Sequence, residues 1–186
     1  MTTLYIITRV LTFFGAMLRA FWQHVACRIF KVPVEDARSF KGNELCGHIE
    51  HELPENLKQS FLVCWLPFTM NFIVGCALLM TGSYRLFYIG QLDAFQPYIL
   101  TILGFSCIAN CAPSFEDALM LKECIYGGDN KVLKIVLAPF FAVAYSMAYI
   151  ERYSLTVILA GVFTVAFPYV FTIFFPIFER ITEMMR

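Results

Sequence analysis

The chain alternates long apolar runs with short polar interruptions. The runs at residues 59–80, 132–150 and 154–178 are each long enough to cross about 30 Å of hydrocarbon as a helix. A shorter run at 96–112 crosses if it extends toward Pro113, and a first run at 4–30 is apolar but carries Arg9, Arg19, Gln23, His24 and Arg28. No basic segment precedes that first run and no A-x-A site follows it, so it reads as a span rather than a secretory leader. The pattern therefore predicts an all-α, polytopic membrane helical bundle of about five transmembrane helices, one membrane domain over 1–186. No internal repeat breaks it.

Within the first run Arg9, Thr12, Ala16, Arg19 and Gln23 recur at three- and four-residue steps, which places them along one helical stripe expected to face protein. Arg19 lies too deep to snorkel to the Lys31 edge easily and needs an acid. The alternative is a structural buried pair or an interfacial helix with a wet face. The acids nearest membrane depth are Glu116 and Asp117, just past Pro113, with Glu151 and Glu179 at span ends. Pairing of Arg19 with Asp117 is geometrically open. Ser114 with Asp117 three residues on has the form of a capping box with Asp in place of Glu. Val32-Pro33-Val34 predicts a short extended piece at the start of a polar cytoplasmic loop over 31–58. In the 132–150 run, Ala138, Ala142, Ala144 and Ala148 form two small-xxx-small pairs suited to close helix contact.

Composition agrees with the pattern: the chain is 59% hydrophobic, above an ordinary soluble domain. Its 14 basic and 14 acidic residues balance, without a basic run of the kind that tracks phosphates, so partners are expected to be the lipid bilayer and a membrane protein or peptide, with no nucleic acid. Ten basic residues near span ends (Arg28, Lys31, Arg38, Lys41, Lys58, Lys122, Lys131, Lys134, Arg180, Arg186) fall on one predicted side, against Arg85 and Arg152 on the other. The expected orientation is N-terminus outside and C-terminus cytoplasmic. Seven cysteines without a CxxC pair read as small packing residues.

In order along the chain stand Arg19-Ala20-Phe21-Trp22-Gln23, Lys31-Val32-Pro33-Val34, Pro67-Phe68-Thr69-Met70-Asn71 and Asn110-Cys111-Ala112-Pro113-Ser114-Phe115-Glu116-Asp117. This order resembles the membrane-embedded zinc metalloproteases of the site-2-protease type, which carry HExxH, then G-V-x-V, a Pro and an Asn in a later span, and in a smaller branch H-A-x-P-S-x-x-D. The resemblance covers about 100 residues and implies that Arg19, Gln23, Asn110 and Asp117 stand at degenerate metal-site positions, with Asn71, Ser114 and Glu116 in a polar cleft. Arg19 cannot ligate a cation and Ala20 cannot act as the base. No HExxH occurs; the nearest string, His51-Glu52-Leu53-Pro54-Glu55, contains a helix-opposing Pro. The expected protein is a catalytically inactive, metalloprotease-like binder of a membrane protein or peptide, without catalytic residues, metal or cofactor, in which an Arg19–Asp117 ion pair occupies the place of the metal. Two alternatives remain: an active protease with ligands rebuilt from His24, Cys27, Cys107, Cys111 and Asp117, and a helical subunit of a membrane complex or transporter. The cluster Cys46-Gly47-His48-Ile49-Glu50-His51 also holds ligand types.

Overall fold

A computed structural model of the chain describes residues 3–36, 49–51, 54, 56–127 and 131–184. The elements among the described residues are seven α-helices, a π-helical turn and one short antiparallel ladder: α1 Thr3–Leu11, α2 Phe13–Ile29, β1 Val34–Asp36, β2 Glu50–His51, α3 Leu57–Ser83 continued by the π-turn Tyr84–Tyr88, α4 Phe95–Ala109, α5 Phe115–Gly127, α6 Lys131–Arg152 and α7 Leu155–Met184. The architecture is a helical bundle, as expected. Most of the polar loop after Lys31, including Arg38, Lys41, Cys46 and His48, lies outside the described residues, as do Glu52, Leu53 and Glu55. The extended piece expected at Val32-Pro33-Val34 is met only at its end, since β1 begins at Val34, which pairs with His51, and Val32 and Pro33 precede the ladder.

Three helical stretches are long and apolar enough to cross a membrane, Leu57–Tyr88, Val132–Arg152 and Leu155–Pro176; Phe95–Ala109 is a shorter apolar helix. The first apolar run divides at Thr12, whose hydroxyl bonds back to the Thr8 carbonyl at 2.7 Å. The main-chain ladder still crosses this point, through the Thr12 amide on the Thr8 carbonyl at 2.9 Å and the Ala16 amide on the Thr12 carbonyl at 3.2 Å, so the division is a local bend in backbone angles.

Small residues set the tightest packing. A Cβ on Gly75 would meet Ile108, one on Gly82 the Thr101 backbone, and one on Gly104 Leu79, all below 3.0 Å. These three lie on α3 and α4, and Gly15 on α2 is tighter still, its Cβ position falling on the Ser106 backbone of α4, so close approach centres on α4. On α6, Ala144 and Ala148 are buried but Ala142 is exposed, so only part of the predicted alanine pattern packs inward.

α4 and α5 form one interrupted passage along α3. Thr101 and Ile108 of α4 lie against Gly82 and Gly75, and in α5 Leu121 shares a core with Cys64 while Cys124 meets Ser60 at 3.0 Å. The two chains thus advance antiparallel almost residue for residue. Between them, residues 110–114 are not helical, because Pro113 lacks the donor a continuing helix needs and Ser114 caps the next helix by accepting from the Asp117 amide at 3.0 Å. α6 runs alongside α5 and places Phe140 against Phe61 and Trp65. α7 follows α3 in the same direction, with Phe163 at Phe72 and the Tyr169 hydroxyl donating to the Phe87 carbonyl.

Candidate functional site

The whole predicted stripe, Arg9, Thr12, Ala16, Arg19 and Gln23, is buried. It meets a belt of polar groups at the level where three chain segments break: at Thr12 between α1 and α2, at 110–114 between α4 and α5, and at Tyr153-Ser154 between α6 and α7. Ser154 takes a left-handed backbone (φ 59°), which turns the chain there. Non-helical backbone at such depth is tolerated only inside protein, where its polar groups find partners.

At the centre of the belt Arg19 pairs with two acids. Its Nη1 donates to Glu151 Oε1 at 2.8 Å, and its Nη2 stands 3.8 Å from Asp117 Oδ2. Glu151 also receives Arg9 on the same oxygen. Asp117 accepts from Gln23 Nε2 at 3.1 and 3.3 Å, and His51 Nε2 lies 3.4 Å from its Oδ1. Two guanidiniums thus face two carboxylates in a buried cluster. The expected pairing of Arg19 with Asp117 is found, but the closer partner is Glu151. The sequence placed Glu151 at a span end and gave no sign that this end returns to the depth of Arg19.

A second, neutral cluster lies beside it. Asn71 Nδ2 donates to the Gly15 and Asn110 carbonyls at 3.0 and 3.2 Å, and Asn110 Nδ2 donates to the Thr12 and Ser106 carbonyls at 3.1 and 2.8 Å. Ser106 Oγ accepts from the Gly15 amide and donates to the Thr12 carbonyl. Both amides point into the bundle and clamp the first turn of α2 to α3 and α4. Gly15 is required there, since a Cβ would stand 1.9 Å from the Ser106 oxygen.

Arg19, Gln23 and Asp117 are brought together, while Asn110 belongs to the neighbouring amide cluster. Asn71, Ser114 and Glu116 do not form one cleft: Asn71 is fully buried in helix packing, Ser114 is half-buried at the α5 cap, and Glu116 is exposed. One acid of the pair thus serves the belt and the other the surface. Cys27 packs with Ala26, Val32, Val63 and Met120, and His24 is half-buried. Among the described residues no group of three or more His, Cys, Asp or Glu side chains is placed to hold a metal ion. The donors around Arg19 do not fit zinc, because the guanidinium occupies the space between the two carboxylates and carries the wrong charge.

The belt opens on one small polar pocket, lined by Thr8, Arg9, Thr12, Asn110, Glu151 and Ser154 among others, with a volume of ≈ 10 Å³. That is about the room one water needs. Comparisons with protein-family models, curated proteins and solved structures returned no match.

Proposed function

We propose that the protein is a catalytically inactive, metalloprotease-like integral membrane protein that binds another membrane protein or peptide. The observation that carries this reading is Arg19 held between Glu151 and Asp117 at the position the resemblance gives to the first metal ligand. A cation there repels a second cation, and the neighbouring Ala20 supplies no base. Charges that neutralise one another fix a shape without performing chemistry. That leaves the outer faces of α6 and α7, rich in exposed Val, Ile and Phe, to lipid and to other membrane helices.

The membrane arrangement is part of the same proposal. The embedded passages are α1 with α2, α3, α4 with α5, and α6 with α7, the last pair meeting at the Tyr153-Ser154 turn, so the packing favours four passages in place of the expected five, with the N-terminus outside and the 31–58 loop cytoplasmic, as the basic residues favour. At the C-terminus charge and packing point to opposite sides: Arg180 and Arg186 favour the cytoplasm, whereas the course of α7 alongside α3 favours the side of Tyr88. We adopt the packing, since it rests on several contacts and the charge argument on two residues.

The test combines elemental analysis, a peptidase assay and photo-crosslinking from exposed positions on α6, such as Val143, in native membranes. Expected are no stoichiometric zinc, no cleavage, and one discrete crosslinked protein that is lost when Val143 is replaced by a bulky charged residue. One zinc per chain that disappears in Asp117→Ala overturns the proposal in favour of an active protease. Crosslinks to lipid alone overturn the binding role. A second reading, a transporter or complex subunit, is favoured by one observation: three helix interruptions meet at one level, as in membrane proteins that hold solutes between broken helices.

A further inference from the structure

α1 is built inside out relative to a packed helix of a soluble protein. Its inner face is polar: Arg9 bonds Glu151 and Thr8 Oγ1 stands 3.4 Å from Ser154 Oγ, while Ile6, Ile7, Val10 and Leu11 face away from the bundle. In lipid the outward apolar side chains lose little when the helix moves, so polar contacts hold it in place. At its C-terminal end, the Thr12 backbone (φ −106°, ψ 33°) leaves helical angles and forms a bend that two ladder bonds still cross, from the Thr12 amide to the Thr8 carbonyl at 2.9 Å and from the Ala16 amide to the Thr12 carbonyl at 3.2 Å. The bend itself is anchored, because the Thr12 carbonyl accepts from Ser106 and Asn110. α1 can therefore pivot while α2 stays fixed.

Beneath α1 lies the small polar pocket, whose near wall is Thr8, Arg9 and Thr12 and whose far wall includes Ala109, Asn110, Glu151 and Ser154. Glu151 is shared by Arg9 and Arg19. If Arg9 leaves, Arg19 remains at 2.8 Å and the carboxylate is not stranded, so opening does not require an unpaired buried acid.

We propose that α1 is a strap, hinged at Thr12 and latched by Arg9 on Glu151 and Thr8 on Ser154, whose release opens the polar belt to water. The inference concerns access to the belt described above and stands whether or not that belt belongs to an inactive protease. It is tested in the full chain with the native cysteines replaced, using Ala109→Cys in the pocket wall as a reporter for a water-soluble, membrane-impermeant thiol reagent. Slow labelling is expected, faster by about tenfold in Arg9→Gln, the effect of ~1.4 kcal/mol on the closed state. Labelling should be blocked when a Thr8→Cys/Ser154→Cys disulfide closes the strap. Labelling at the same rate with the disulfide closed, or no labelling even in Arg9→Gln, overturns the proposal. Hydrogen exchange on the unmodified protein gives an independent reading: the amides of α1 should exchange together and faster than those of α2, and equal protection of the two helices likewise overturns it.

Discussion

At the scale of single residues the governing fact is that Arg19 answers two acids. Glu151 accepts at 2.8 Å and is also bonded by Arg9, whereas Asp117 is at 3.8 Å and has Gln23 and His51 as further partners. Glu151→Ala should therefore cost more than Asp117→Ala, about 3–5 kcal/mol, because it leaves two buried guanidiniums short of charge. Thermal melts of the purified variants rank the two; equal losses would place the acids on a par. The same geometry predicts that the double reversal Arg19→Asp with Asp117→Arg fails to restore stability, since it sets the new carboxylate against Glu151. Recovery in the double variant would mean that Asp117 dominates after all. The deep Arg19, its need for an acid and the candidacy of Asp117 were legible in the sequence through helical spacing. Glu151 was not, because spacing along one helix says nothing about where the far end of another arrives.

At the scale of elements, close backbone approach decides the packing. Gly15→Ala drives a methyl into the Ser106 carbonyl and should separate the start of α2 from α4, a loss of about 1–3 kcal/mol or more, while Gly127→Ala, with nothing within 4 Å, serves as a control of unchanged or slightly raised stability. Denaturation in detergent compares them, and a neutral Gly15→Ala would show that the contact is loose. The apolar runs announced α3, α6 and α7 directly. The division of the first run at Thr12 was hidden, because it coincides with the Thr12 carbonyl's distant partners, Ser106 on α4 and Asn110 just past it, and no breaker such as Pro marks it in the local sequence. The end of α4 was better marked, since Pro113 and Ser114 announce both the stop and the next start. What those residues could not reveal is that α5 resumes along the same neighbour.

For the whole molecule the arrangement of charges and the packing of helices make separate statements about the membrane. Tags in the 31–58 loop should be reached only from the cytoplasmic side and a tag near Tyr88 only from outside. A tag after Arg186 distinguishes the two arguments: it should share the side of Tyr88 if α7 follows α3 through the bilayer, and protease protection of tagged membranes gives the answer. A cytoplasmic C-terminus would require α7 to leave its contacts with Phe72 and Phe87.

The interruption at 110–114 keeps pace with the helix beside it, so α4 and α5 remain in phase although no helical bond joins them. One added residue there lengthens a link whose two ends are both fixed on α3, and if it is taken up by extending either helix it turns α5 by about 100° about its axis. Asp117 would then swing away from Gln23 and Arg19, and the face that now carries Leu121 and Ile125 against α3 and α6 would turn outward. The segment therefore acts as a fixed-length spacer, and insertions at Ala112 should be far less tolerated than substitutions at the same place. A scan of single-residue insertions across 110–114, scored by retained protein in the membrane, should show a sharp minimum there.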